Sequence, residues 1–269
     1  MATLVLHGEG FAGDTFPVFI SETYARFYGV DATTSGYGFT DAGHVDLTVG
    51  SDPQLTFHLT GSFAQASPGA PITGTVTGMS VTNSNDFDVF DITGINNVSL
   101  PDLAAAANNL DQTINNSGFG SIATVFATFA LYNLILGGND VIHGSSNGDE
   151  IFGLGGHDIL TGGTNSDNFW FAGPYMKAGD SDKITNFAPS TSFNGDFLYI
   201  DHTAVGIHHL HHPHANEFKV ATNPGRARVW EDPRNGDVYY KGPHGKIEIV
   251  QLLNHHHAAH VDAAHIFLF

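Results

Sequence analysis

Ile135-Leu-Gly-Gly-Asn-Asp-Val-Ile-His143, Gly144-Ser-Ser-Asn-Gly-Asp-Glu-Ile-Phe152, Gly153-Leu-Gly-Gly-His-Asp-Ile-Leu-Thr161 and Gly162-Gly-Thr-Asn-Ser-Asp-Asn-Phe-Trp170 are four consecutive nonapeptides. Asp140, Asp149, Asp158 and Asp167 fall nine residues apart, and so do Ile142, Ile151, Leu160 and Phe169. Two unrelated residue classes that keep one period mark a stacked repeat. Each unit reads as a Gly-rich turn followed by a short strand. The large apolar residue points inward, and stacking buries a continuous apolar line. Two units make one coil, so turns eighteen residues apart face each other. That sets Asp140 against Asp158, and Asp149 against Asp167.

The chemistry of these turns is oxygen chemistry. Glycine lets backbone carbonyls converge, and each Asp adds an anionic oxygen. Carbonyls and carboxylates without soft ligands describe a Ca²⁺ site. Asp also favours turns for purely conformational reasons. The nine-residue period shared with the apolar positions favours calcium over that plainer reading.

These units resemble the RTX (repeats-in-toxin) nonapeptide Gly-Gly-x-Gly-x-Asp-x-apolar-x. The third unit fits the pattern, the first lacks its opening glycines, and Asn147 and Asn165 replace the fourth-position glycine in the second and fourth. The resemblance implies a short calcium-binding parallel β-roll. Its ligands would be Gly138, Asp140, Asn147, Asp149, Gly156, Asp158, Asn165 and Asp167, with Asp180 or Asp182 adding a carboxylate to the last turn. The stretches Gly179–Phe187 and Gly195–Asp201 look like the strands that cap such rolls. Asn235-Gly236, between Arg228–Glu231 and Val238–Lys241, is a hairpin signal. The apolar tail Ala264–Phe269 is similar to the family's C-terminal secretion signal, and no N-terminal signal peptide is visible. The resemblance thus implies a secreted, extracellular bacterial protein whose export partner is the type I secretion machinery.

Charge agrees with a cation partner. The 269 residues carry 27 Asp and Glu against 9 Lys and Arg, a net charge of −18. Up to Met176 the only Lys or Arg is Arg26, against 14 Asp and 3 Glu. Nucleic acid is excluded as an expected partner, because phosphate binding needs clustered Lys and Arg. An anionic membrane surface is excluded on the same ground. The apolar stretch Ser121–Leu136 is too short to span a bilayer, so no membrane insertion is expected. With no Cys, the chain has no disulfide, zinc-thiolate site or Cys nucleophile.

Residues 1–134 read as an α+β N-terminal module, an antiparallel sheet with helices. Strands are expected over Val45–Val49, Leu55–Phe63, Ile72–Val81 and Asp88–Ile95. Helices are expected near Pro17–Tyr28 and from Pro101, with Ser99 as cap and Leu103, Ala107, Leu110 and Ile114 on one face. The chain then divides into this module, the four nonapeptides of 135–170, and a β-rich cap with a His-rich segment over 171–269.

Gly10–Asp14, Leu55–Leu59, Gly94–Leu100 and the following helix are similar to secreted haem-acquisition hemophores. That resemblance would place a haem-ligating Tyr at position 57, where this chain has Phe57. Histidine is concentrated at the far end: His208, His209, His211, His212 and His214 form one cluster, and His255, His256, His257, His260 and His265 another. Imidazole suits Zn²⁺, Ni²⁺ and Cu²⁺. A haem or transition-metal scavenger is therefore the second reading of the chain.

No catalytic constellation stands out. Gly144-Ser-Ser-Asn-Gly148 matches the nucleophile elbow, but it lies inside the repeat register, whereas an elbow joins a core strand to a helix. No His-Glu-x-x-His occurs. Asp86, Asp88 and Asp91 alternate with apolar residues as on a half-exposed strand. The expected protein is a non-enzymatic calcium binder whose repeats fold on Ca²⁺ outside the cell, carrying a binding or structural head.

Overall fold

The structure is a computed structural model, and it describes residues 1–7, 37–49, 55–68, 70–83, 88–106, 109, 130–189, 195–242, 245–254, 257–258 and 260–269. The chain forms two compact units, Met1–Gly137 and Gly138–Phe269.

The first unit is built on six strands: β1 (Thr3–Leu6), β2 (Tyr37–Asp41), β3 (His44–Val49), β4 (Leu55–Gln65), β5 (Ile72–Asn83) and β6 (Asp88–Ser99). They pair antiparallel in the order β1-β6-β5-β4-β3-β2. The alternation seen in the sequence becomes one buried and one wetter face. Phe57, Leu59 and Phe63 are buried on β4, while His58, Thr60 and Ser62 turn the other way. Val45, Val81, Phe90 and Ile92 complete the buried side. Ser99 Oγ accepts the Asp102 N–H at 3.1 Å and opens a helix over 100–106, which buries Leu100, Leu103 and Ala104. A second helix, 130–136, buries Leu131, Tyr132, Ile135 and Leu136. The opening pair of the first nonapeptide thus belongs to a helix end.

The second unit holds β7 (Val141–His143), β8 (Glu150–Phe152), β9 (Ile159–Thr161), β10 (Asn168–Phe171), β11 (Asp182–Ile184), β12 (Phe197–Ile200), β13 (Phe218–Val220), β14 (Val229–Asp232), β15 (Asp237–Gly242), β16 (Gly245–Asn254), β17 (His257–Ala258) and β18 (Ile266–Leu268). The repeat strands alternate between two sheets. Strands β7, β9, β11 and β16 pair in parallel in one, and β14, β15 and β16 continue it antiparallel. Strands β8, β10, β12 and β18 pair in parallel in the other. Each large apolar repeat residue is buried: Ile142 at 1%, Ile151 at 2%, and Leu160 and Phe169 at 0% exposure. Ile142 lies opposite Leu160, and Leu160 opposite Ile184. Ile151 lies opposite Phe169, and Phe169 opposite Leu198.

The expected fold class is corrected by this architecture. The chain is mostly β, with 47% of residues in strands against 11% in helices, so it is not an α+β module with a helix-backed antiparallel sheet leading into a separate roll and cap. Pairing is mixed, parallel and antiparallel. The physical reason lies in two places. Strands β4 to β6 run for 11 or 12 residues and, among the described residues, carry half of the first unit's buried side chains. Downstream, β11, β12, β16 and β18 extend the sheets of the repeats directly instead of covering them as a distinct layer. The helix expected at 17–28, and the Leu110 and Ile114 turns of the next, lie outside the described residues. Near the second His cluster, β17 at His257–Ala258 pairs with β16.

Candidate metal centre

Sequence spacing brings the repeat carboxylates together in two ladders. Asp140 donates its backbone N–H to Asp158 Oδ1 at 2.7 Å, and Asp158 donates in turn to Asp182 Oδ1 at 3.0 Å. On the other side Asp149 donates to Asp167 Oδ1 at 2.9 Å, and Asp167 to Asp196 Oδ1 at 3.1 Å. All six residues are at most 5% exposed, so their carboxylates sit stacked away from water. One oxygen of each accepted bond is satisfied by backbone. The second oxygen is not always so provided for. Among the described residues, Asp158 Oδ2 and Asp167 Oδ2 are buried with no hydrogen-bond partner.

Burying a carboxylate favours its protonated form. Desolvation therefore pushes Asp167 up to about 8, with the Asp196 carboxylate adding repulsion. Asp196 is raised to about 6, chiefly by desolvation. Desolvation, then mutual repulsion, raises Asp158 beside Asp182, and desolvation raises Asp182. Asp149 is also raised by burial, although the Ser145 N–H, 2.6 Å from its Oδ2, works against that.

Glycines frame these oxygens. A Cβ on Gly153 would stand 2.2 Å from Asp182 Oδ2 and 3.1 Å from Asp158 Oδ2, and one on Gly162 would stand 2.2 Å from Asp167 Oδ2. A Cβ on Gly156 would meet the Gly138 carbonyl oxygen at 2.1 Å. The turns therefore pack backbone against carboxylate with no room for a side chain. The remaining candidates serve the turns. The Asn147 N–H donates to Ser145 Oγ at 3.0 Å, and Asn165 Nδ2 donates to the Ser146 carbonyl at 2.5 Å, binding one coil to the next.

This donor set fits a hard divalent cation. It presents buried carboxylate oxygens, two of them orphaned, packed against glycine backbone, with no sulfur and no imidazole among the donors. Asp196 was not among the residues singled out by spacing. It stands 29 residues beyond Asp167, off the period of nine, yet Asp196-Phe-Leu198 repeats the Asp-x-apolar signature of Asp167-Asn-Phe169. Asp180 stays outside the ladder and pairs with Lys177 at 3.5 Å.

The other motifs resolve into local roles. Phe57 is fully buried in the sheet core. His58 Nδ1 contacts Asp46 Oδ1 at 2.8 Å, and its Nε2 lies 3.2 Å from Thr82 Oγ1. Ser145 Oγ reaches Asp149 in a turn that leads to β8, not to a helix. Asp232 is held by Arg234, whose side chain lowers it to about 2. Gly10–Asp14, Asp86, His255 and His256 lie outside the described residues. Asp91 bonds His7 at 2.9 Å. Among the His clusters, His209 Nε2 lies 2.7 Å from Glu217 Oε2, and His260 contacts the fully buried Glu231. Among the described residues no helix is long and apolar enough to cross a membrane. A scan against protein-family models and a search of curated proteins return no match for the chain.

Proposed function

We propose that this chain is a secreted RTX-type calcium-binding protein, exported by type I secretion, whose nonapeptide coil completes its folding when the stacked carboxylates are neutralised outside the cell. The observation that carries the reading is the pair of orphaned oxygens, Asp158 Oδ2 and Asp167 Oδ2, buried beside further carboxylates. A buried anion without a partner is costly unless it is protonated or paired. Gly138, Asp140, Asn147, Asp149, Gly156, Asp158, Asn165, Asp167 and Asp182 would hold the ion, and Asp196 joins them through Asp167. Bound Ca²⁺ supplies the positive charge that these oxygens lack and accepts several oxygen ligands in flexible geometry.

The chain's own residues do the rest. In a low-calcium compartment the ladder carboxylates repel one another, which holds the coil open and suits passage as an unfolded chain. Once neutralised, they stack, and Ile142, Ile151, Leu160 and Phe169 go under cover. The near absence of Lys and Arg up to Met176 removes the side chains that would otherwise compete as counter-ions. The first unit acts as a binding or structural head without catalysis.

The test is Ca²⁺ titration of metal-stripped, untagged protein, followed by thermal melting. A saturable rise with Ca²⁺, and a much smaller one with Mg²⁺, is the expected result. An unchanged melting temperature overturns the reading. Hemin added to the same apoprotein is expected to give no Soret shift; a stoichiometric shift would favour the haem-scavenger alternative.

A further inference from the structure

The histidine tract contains a more specific arrangement than loose surface imidazoles. His209, His214 and Glu217 each offer one ligand atom, and these atoms lie within 4.8 Å of one another. His209 Nε2 is 2.7 Å and His214 Nδ1 3.4 Å from the same atom, Glu217 Oε2. The two rings stack with centroids 4.1 Å apart.

The contacts of the His209 ring give the second observation. Its Nδ1 lies 3.1 Å from the Leu210 carbonyl oxygen and its Nε2 2.7 Å from Glu217 Oε2, an acceptor at each nitrogen. A metal ion would take the place of the Nε2 proton between ring and carboxylate, while the Nδ1–H keeps its bond to Leu210. An imidazole whose far N–H is tied to a backbone carbonyl is oriented as metal-ligating histidines are.

The loop is also fixed in place. His211 exchanges two backbone hydrogen bonds with Leu268 of β18, at 3.0 and 2.6 Å. His212 Nδ1 lies 2.9 Å from the Ile266 carbonyl oxygen, and its ring packs 4.2 Å from Phe267. The His214 N–H donates to Glu217 Oε2 at 2.8 Å and sets the carboxylate. The fold therefore spends His211 and His212 on anchoring and leaves His209 and His214 facing one carboxylate.

We propose that His209, His214 and Glu217 form a site for a borderline divalent transition metal, Zn²⁺ foremost, separate from the carboxylate ladders and independent of the calcium reading. Two imidazoles and one carboxylate are a recurrent Zn²⁺ set that leaves a fourth position open. Tetrahedral ligands about 2.0–2.1 Å from zinc stand about 3.3 Å apart. The 3.4 Å pair already meets that spacing, and the 2.7 Å pair needs a small opening. His214 is 70% exposed, so the open position faces solvent. The two ladders offer no nitrogen, and this site offers two, so the chain would sort hard from borderline cations by donor type.

The experiment is calorimetric titration of Zn²⁺ into the full, untagged chain with Ca²⁺ present throughout. One tight equivalent is expected. Glu217→Gln and His209→Gln should each weaken it at least about tenfold, while His208→Asn, an exposed neighbour outside the triad, should not. Co²⁺ in place of Zn²⁺ should give the visible bands of a low-coordinate site in the parent and lose them in Glu217→Gln. Should either variant fail to melt like the parent, His214→Asn takes its place. Equal affinity in parent and triad variants overturns the proposal, as does a set of weak equivalents with no tight one.

Discussion

Asp158 hangs its amide on the Asp182 carboxylate at 3.0 Å across 24 residues, where Asp140 reaches Asp158 across 18. The ladder thus outlasts the repeat that generates it, and its last rung comes from a strand the repeat does not contain. Asp182→Asn keeps an oxygen for the Asp158 amide and removes one buried charge. Without metal, this variant is expected to melt above the parent. With saturating Ca²⁺ it is expected to gain less, by about 2.7 kcal/mol if one site filled at a hundredfold its Kd is lost. Paired melts with and without Ca²⁺ check this, and an undiminished calcium gain would refute it.

The raised carboxyls predict the pH response of the metal-free chain. Asp167 is pushed up to about 8 and Asp196 to about 6, against about 3.9 when unfolded. The folded state therefore holds protons that the unfolded state releases. That contribution is complete below about pH 4 and is lost as pH rises through 6 and then 8. Melts in chelator should show lower stability at pH 8 than at pH 5. Saturating Ca²⁺ should flatten or invert the slope, since metal and proton compete for the same oxygens. Greater metal-free stability at pH 8 would contradict the buried-carboxylate account.

Two glycines of the turns should respond unequally to the same change. A Cβ on Gly144 would stand 1.8 Å from the Gly162 carbonyl oxygen, whereas one on Gly138 meets nothing within 4 Å. Gly144→Ala is expected to cost at least about 1–3 kcal/mol, as overpacking does. Gly138→Ala should change stability by about 0.5 kcal/mol or less. Denaturant midpoints in Ca²⁺ measure both.

Neighbouring residues on β9 give a sharper contrast. Leu160 is fully buried and Ile159 is 41% exposed. Leu160→Ala should cost about 2–5 kcal/mol, and Ile159→Thr about 0.5 kcal/mol or less. Similar losses at both positions would mean that the strand does not keep its inward and outward faces in solution.

How far the sequence could be read depended on period. Asp140, Asp149, Asp158 and Asp167 and their apolar companions were legible because a nine-residue spacing is conformation-independent: it states which turns stack before any angle is known. Asp196 was not, because 29 residues and a loop intervene before it takes the Asp167 amide. Strands β4, β5 and β6 were legible from alternation, although each extends further than its apolar run. The α+β expectation failed because helical periodicity in one segment says nothing about its share of the fold. The helix at 100–106 is capped by Ser99 as its sequence suggests, yet strands dominate the chain. The meeting of His209 with Glu217 was hidden for a different reason. A tract of many histidines looks uniform until tertiary contacts with β18 assign two of them to anchoring.

Strands β7 and β9 lie in one sheet of the second unit, and β8 and β10 in the other. A nonapeptide consequently has a parity as well as a length. One extra unit inserted after Thr161 would move every later strand to the opposite sheet and part Asp167 from its rung, whereas two extra units would restore both. Growth of such an array by duplication is tolerated in steps of eighteen residues, the spacing of its paired aspartates. A gene that lengthens this coil must copy whole turns.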